Sequence, residues 1–219
     1  MSGMSPDKKT LESLVHPPAS YLTLVNQLAL DAGIPYVDQW SACADFLELI
    51  VDHVLQAKPA TLLECGSGLT TLVLARACQL NGTGHLYSLE NGEQYAQRSR
   101  DVLEFYGLSD YVTVLHAPLI NYSINQQNYQ WYSLAALSAA KVDLFIIDGP
   151  PGFIQKHSRY PALPLLHAKL ADDCRIFLDD ARRDDELEIV SLWQQQFDDC
   201  HFEYLELERG CNQGKIRRQ

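Results

Sequence analysis

The chain has 219 residues, of which 47% are hydrophobic, 21% charged and 10% aromatic. That balance excludes a disordered or collagen-like chain and fits one domain with an N-terminal extension. Lys and Arg number 17 against 28 Asp and Glu, a formal charge of −11, and such a surface repels phosphate backbones and anionic membranes.

Residues 1–40 read as a helical extension; its first thirty lack the apolar run and small-residue cleavage site of a secretion signal. No window of the chain approaches eighteen consecutive apolar residues. A regular pattern begins at Ser41, which is expected to cap a helix carrying Leu47, Ile50, Val51, Val54 and Leu55 on one face. Ala60–Leu63 is strand-like and ends at Glu64, followed by Cys65-Gly-Ser-Gly68 and a helical pattern through Ala77. His85–Leu89 is a strand ending at Glu90, and Tyr95, Val102, Leu103 and Tyr106 form the next helix face. Tyr111–Leu115 is a further strand, and the polar stretch Asn121 to Gln130 reads as a long loop.

Val142–Ile147 is a continuous apolar run of the kind covered on both faces of a sheet; it ends at Asp148 and turns through Gly149-Pro-Pro-Gly152. Tyr160–Leu170 is expected to be helical, with Pro161 and Pro164 near its start. Cys174–Leu178 is a strand ending at Asp179-Asp180, and Ile189, Val190, Trp193 and Phe197 share a helix face. Phe202–Leu207 and Lys215–Arg218 make a closing hairpin. Strands alternating with helices define an α/β, doubly wound, Rossmann-like parallel sheet, in which ligands bind beyond the carboxyl ends of the strands. Glu64, Glu90, Asp148 and Asp179 all fall at such ends. Six cysteines without CxxC spacing read as buried, reduced thiols, which points to the cytoplasm.

The Glu64–Gly68 loop stands between a strand and a helix, where glycines bring backbone amides close to a ligand. The lysine of a phosphate-binding P-loop is missing, and a dinucleotide loop wants a small residue where this chain has Thr71. A carboxylate ahead of the first glycine repels a pyrophosphate but favours a ligand bearing an ammonium and a sulfonium. Glu90, 22 residues after Gly68, is placed to accept hydrogen bonds from both ribose hydroxyls of any nucleoside.

The run Leu62-Leu-Glu-Cys-Gly-Ser-Gly-Leu-Thr-Thr71, the acid Glu90, His116-Ala-Pro118 and Asp148-Gly-Pro-Pro resemble class I S-adenosylmethionine-dependent methyltransferases. The resemblance runs from Ser41 to the C-terminus and implies a seven-stranded sheet, mostly parallel with an antiparallel C-terminal strand. It implies that Glu64, Gly66, Ser67, Gly68 and Thr70 cradle the methionine end, that Glu90 binds the ribose, and that Ala117 lies by the adenine. Asp148 would stand at the mouth where the methyl group is transferred.

Asp148, Asp179 and Asp180 fall at the ends of neighbouring strands, roughly 4.8 Å apart, and could share Mg2+ or another divalent cation. This set is similar to the acidic metal cluster of catechol- and caffeoyl-CoA-type O-methyltransferases, where the ion holds two substrate oxygens. Two departures stand out: Asp179-Asp180 replaces an Asp-Asn pair, and Pro151 replaces the lysine base, leaving Lys156 or His157 as substitutes. The plain alternative is a solvated strand rim with Asp180 capping a helix. Arg159, Arg182 and Arg183 either bind an anionic substrate or neutralise these acids, and Trp131 and Tyr132 either stack on a ligand or fill the core. Trp40 and Tyr36 are placed to cover the ligand from the N-terminal side, while His116 and His167 read as structural.

Asp148-Gly-Pro-Pro-Gly152 departs from the motif of adenine and glutamine amino-methyltransferases by the inserted Gly149 and by Gly152 in place of the stacking aromatic. The expected activity is therefore methyl transfer from S-adenosyl-L-methionine to a small-molecule acceptor, at oxygen, with a homodimer as the assembly to test and no nucleic-acid or membrane partner. Two alternatives remain: a non-catalytic binding module, and a nicotinamide-dependent oxidoreductase.

Overall fold

The computed structural model describes residues 14–139 and 141–218; residues 1–13 of the expected extension lie outside them. Six α-helices are described: α1 (Leu22–Leu28), α2 (Ala44–Ala57), α3 (Leu69–Asn81), α4 (Glu93–Phe105), α5 (Ala162–Leu166) and α6 (Asp184–Gln196). The strands are β1 (Thr61–Cys65), β2 (His85–Glu90), β3 (Val112–His116), β4 (Leu119–Ile124), β5 (Gln127–Tyr132), β6 (Val142–Ile147), β7 (Leu170–Leu178), β8 (Cys200–Leu205) and β9 (Cys211–Ile216). Seven of them form one sheet in the order β3-β2-β1-β6-β7-β9-β8. The first five of that order are mutually parallel, and β9 runs antiparallel between β7 and β8. This is the expected Rossmann-like sheet with its antiparallel C-terminal strand.

Alternation along the central strands divides the core into two layers. Leu62, Leu144 and Ile146 meet α1 to α4 on one face, through Leu24, Leu28, Ile50, Leu72 and Val102. Leu63, Phe145 and Ile147 meet the other layer, which includes Leu163, Ile189 and Trp193. A strand buried on both faces reads as an unbroken apolar run, which is why β6 matches its expected span. The N-terminal segment joins the first layer: Leu24, Leu28, Leu30 and Ile34 are buried there, and Val15 pairs with Ile34 in an antiparallel bridge.

Three expectations need correction. The stretch 121–130 is not a loop but most of a hairpin, in which β4 and β5 pair from Leu119↔Tyr132 to Ile124↔Gln127. Its inward residues Ile124, Tyr129 and Trp131 are buried, and the alternating Asn, Ser and Gln face solvent. The turn residues Asn125 and Gln126 both adopt positive φ, the conformation of a tight two-residue hairpin turn, without the glycine that normally announces it. The helix expected from Ser41 starts at Ala44 with Cys43 at the cap, while the Ser41 hydroxyl instead accepts the Val37 N–H at 2.9 Å. The helix expected over 160–170 is α-helical only from Ala162 to Leu166, passes into a 3-10 turn at His167–Lys169, and gives way to β7 at Leu170.

The sequence order reverses between β2-β1 and β6-β7, so the loops after β1 and β6 part and leave a crevice at the carboxyl edge of the sheet. A cleft of about 660 Å³ lies there. Among the described residues no helix is long and apolar enough to cross a membrane.

Candidate active site

The loop after β1 is shaped by two glycines: Gly66 (φ +101°) and Gly68 (φ +145°) adopt backbone conformations that side chains rarely reach. Gly68 is the N-cap of α3, and its N–H donates to the Thr71 hydroxyl at 3.0 Å. The Thr71 hydroxyl in turn donates to Glu64 Oε2 at 2.8 Å. The branched residue that argues against a dinucleotide loop therefore has a constructive role, tying the helix start to the acid of β1. Ser88 adds a hydrogen bond from its hydroxyl to the Gly66 carbonyl at 2.8 Å.

Glu64 is buried. Burial pushes its carboxyl up to about 8, against the lowering effect of the Thr71 and Ser88 hydroxyls beside it and with a further upward push from Glu90. A buried carboxyl with no cationic partner holds its proton near neutrality; a cation arriving in the cleft would draw the proton off.

Glu90 closes β2 and is also buried. One carboxylate oxygen accepts the Ser67 hydroxyl at 2.8 Å and the other accepts the Gly92 N–H at 2.8 Å. Ser99 of α4 donates to the Ser67 hydroxyl oxygen at 3.0 Å, so the glycine loop, the end of β2 and α4 are joined by one hydrogen-bond chain. Glu64, Gly66, Ser67, Gly68, Thr70 and Glu90 all line the cleft. Asp148, at the end of the neighbouring β6 and beside Gly66, lines it as well.

Behind Asp148 lies an acidic knot. One carboxylate oxygen from each of Asp148, Asp179 and Asp180 falls within 4.8 Å of the others. Burial and the repulsion of Asp179 raise the Asp148 carboxyl well above the usual carboxylate range, with Arg159 offsetting part of the shift. Burial, with repulsion from Asp180, pushes Asp179 up to about 6. Arg159 enters this knot and is only 3% exposed. Its Nη1 donates to the Asp179 carbonyl at 2.8 Å, and its Nη2 donates to Asp148 Oδ1 at 3.1 Å and Asp180 Oδ2 at 2.7 Å. Its Nε is 3.8 Å from Glu186 Oε1, and Arg183 pairs with Asp180 at 2.9 Å from the solvent side.

The donor set suits a hard cation, but Arg159 already supplies the charge. At about 4 Å and an effective dielectric near 20, two unit charges interact by about 4 kcal/mol, so the guanidinium would repel a divalent ion by about 8 kcal/mol. That cancels the attraction of one of the three carboxylates, Arg183 on Asp180 offsets a second, and the ion would also compete for the Asp148 and Asp180 oxygens that Arg159 holds. The residues present therefore do not fit a divalent ion while Arg159 is in place.

Several other expected site residues fall elsewhere. Lys156 and His157 do not line the cleft: Lys156 Nζ pairs with Glu188 at 2.7 Å, and His157 Nε2 lies 2.7 Å from the same carboxylate. The His157 N–H donates to Asp185 at 2.6 Å, which holds both residues against α6. Ala117 is buried outside the cleft lining, its N–H donating to the Glu90 carbonyl at 2.7 Å. Asp180 caps no helix; it adopts positive φ and binds arginine, and α6 begins after Arg183. Arg182 leaves the knot to pair with Glu206. Tyr36 turns to Tyr21 and Asp38, whereas Trp40 reaches the cleft mouth. His167 is bonded to Asp199 and stacked on Phe197, as a structural histidine would be; His116 is exposed.

The structure adds residues that the sequence did not single out. Phe153, 80% exposed, meets Trp40, 65% exposed, edge-on across the mouth, with ring centroids 6.3 Å apart. Pro35, Val37 and Ile154 complete an apolar rim. Tyr132 lines the floor, so of the Trp131–Tyr132 pair one fills the core and one reaches the cleft. Glu186, the fourth acid of the knot, carries no motif that could have marked it. The six cysteines are buried free thiols, and burial raises Cys65, the one in the cleft lining, well above its ordinary value, which makes it a poor nucleophile.

A family model described as a methyltransferase domain matches residues 63–181, from β1 to just past Asp179 and Asp180. Solved structures similar to this chain include an SAH-bound methyltransferase from Podospora anserina (15% identity, TM-score 0.64, 100% of both chains). An O-methyltransferase from Bacillus cereus in complex with SAH gives 15% identity, a TM-score of 0.61 and 96% coverage of both chains. An O-methyltransferase from Streptomyces achromogenes, involved in tomaymycin synthesis and in complex with SAM, gives 14%, 0.61, and 97% of this chain against 96% of that one. No curated protein sequence matches the chain significantly. The chain belongs to the methyltransferase-domain family. Its fold is that of these SAM- and SAH-bound methyltransferases.

Proposed function

We propose that this protein transfers a methyl group from S-adenosylmethionine to an oxygen of a small, largely apolar acceptor, in the reducing environment of the cytoplasm. The observation that carries the donor assignment is Glu64, a buried carboxyl with no cationic partner among the described residues, in the cleft lining beside two positive-φ glycines. When bound, the donor supplies an electrophilic methyl group on a sulfonium. Glu64 would answer its positive charge, the Gly66–Gly68 backbone would cradle its amino-acid end, and Glu90 would accept hydrogen bonds from the ribose. In-line displacement asks the protein mainly for positioning and exclusion of water. The hydrogen-bonded chain Glu90–Ser67–Ser99 supports the first, and the Trp40–Phe153 pair over the mouth supports the second. Asp148 faces the cleft, and its carboxylate, ionised beside Arg159, would take the acceptor's proton.

The apolar rim of Pro35, Val37, Trp40, Phe153 and Ile154 and the charge of −11 support an uncharged or cationic small molecule over a nucleic acid. Calorimetry with S-adenosylhomocysteine and with NAD tests the donor directly: the first is expected to bind and the second not. Binding of NAD in preference would overturn the assignment. In the same experiment Glu90→Ala is expected to weaken S-adenosylhomocysteine by about 1–3 kcal/mol, the range for a hydrogen-bonded charged group. Unchanged affinity would remove Glu90 from the ribose. Trp40→Ala is expected to raise the acceptor KM several-fold while leaving S-adenosylhomocysteine affinity within about twofold, since the exposed ring lies at the mouth.

A further inference from the structure

We propose that the guanidinium of Arg159 is a built-in cation of the strand-end acidic knot, and that Asp148, Asp179 and Asp180 take up no divalent ion while it is there. Both terminal arms of the planar group are used: Nη1 donates to the Asp179 carbonyl and Nη2 donates to Asp148 and Asp180, while Nε makes no hydrogen bond and lies 3.8 Å from Glu186 Oε1. A rigid fork that reaches four acidic residues from one buried position matches what guanidinium does well and a mobile lysine does not. Burial works against its charge, and the four surrounding carboxylates more than offset that cost.

Arg159 is also held in place from behind. The carbonyl of the next residue, Tyr160, accepts the Trp193 indole N–H at 2.8 Å. The Ser158 hydroxyl donates to the Gln155 carbonyl at 2.7 Å, and the His157 N–H donates to Asp185 at 2.6 Å. The loop from Gln155 to Tyr160 is thus fastened to itself and to α6, and Arg159 is not a surface arginine that can swing aside. Three buried oxygens, Asp179 Oδ2, Asp180 Oδ1 and Glu186 Oε2, have no hydrogen-bond partner among the described residues. They mark what the guanidinium leaves uncovered, and they make the knot a latent ion site once the arginine is removed.

The consequence for the reaction rests on the proposed methyl transfer. A metal that grips two oxygens demands an acceptor with two adjacent oxygens. A guanidinium hidden behind Asp148 makes no such demand, so the acceptor needs only one nucleophilic atom. Arg159 is a positioning residue: it orients Asp148 and does not line the cleft.

Titration of the full chain with Mn2+, followed by the paramagnetic resonance of the free ion, tests the proposal without donor or acceptor. Its failure and the failure of the donor assignment are therefore separable. Wild type is expected to bind no ion at the knot, whereas Arg159→Gln, checked for folding by circular dichroism, is expected to bind about one equivalent at least roughly tenfold more tightly. The gain is expected to vanish in Arg159→Gln/Asp179→Asn. A folded Arg159→Gln that binds no more Mn2+ than wild type would overturn the proposal. Should that variant not fold, wild type alone decides. Saturable binding that Asp179→Asn abolishes overturns it; no binding, or binding that Asp179→Asn leaves intact because it lies at another cluster such as His157, Asp185 and Glu188, supports it.

Discussion

Glu64→Gln is expected to make the ligand-free protein more stable at pH 8.5 and, in the same variant, to weaken donor binding roughly ten- to a hundredfold. Both effects come from one buried carboxyl. An unfolded glutamate titrates near 4.5, whereas the folded one is pushed up to about 8. Between these values the unfolded chain has lost a proton that the folded chain keeps, so the linkage slope is negative: stability falls as pH rises from about 4.5 to about 8. A gap of this size is worth on the order of 5 kcal/mol. Glutamine carries no such charge and can still accept the Thr71 hydroxyl, so the variant and wild type are expected to match at pH 5 and to diverge toward pH 8.5. Thermal unfolding across that range is the measurement; a variant less stable than wild type at every pH would contradict the burial argument. The loss in binding follows because a hydrogen-bonded charged partner contributes about 1.5–3 kcal/mol, which glutamine cannot replace.

Trp193→Ala is expected to cost about 3–5 kcal/mol of stability, the range for deleting a fully buried large aromatic. Trp193 is completely buried, stacks on Phe202 of β8 at 5.6 Å, and donates its indole N–H to the Tyr160 carbonyl. The indole therefore joins α6, the C-terminal hairpin and the segment that carries Arg159. Trp193→Phe keeps a six-membered ring but loses the hydrogen bond and part of the buried volume, so a smaller cost of about 1–3 kcal/mol is expected. Denaturant unfolding of both variants checks this. Equal costs would mean that the indole N–H, rather than the ring, provides the stabilisation.

The strand–helix frame was legible because its signals are local. The apolar runs at 62–63 and 142–147 and the acid-glycine loop after β1 announce themselves within a few residues. The β4–β5 hairpin was not legible, since Asn125-Gln126 adopts a turn normally marked by glycine, and its buried residues are tyrosine, tryptophan and isoleucine set among Asn and Gln. The carboxylates of the cleft could be found because strand ends locate them. The positions of Lys156 and His157 could not: both follow Asp148 closely in sequence, yet Glu188 and Asp185, about thirty residues on, pull them to α6. Arg159 lay between two readings. Proximity to acids in the sequence does not tell an arginine that awaits an anionic substrate from one whose charge is already spent. Only burial at 3% and the three hydrogen bonds separate them.

Proton release on donor binding is the most direct probe of the site. Calorimetric titration of S-adenosylmethionine near pH 7, repeated in two buffers of different ionisation enthalpy, counts protons set free per molecule bound. With Glu64 protonated in the empty cleft and ionised beside the sulfonium, wild type is expected to release close to one proton and Glu64→Gln none. Binding with no release from wild type, or with the same release from both proteins, would show that Glu64 does not receive the donor's charge.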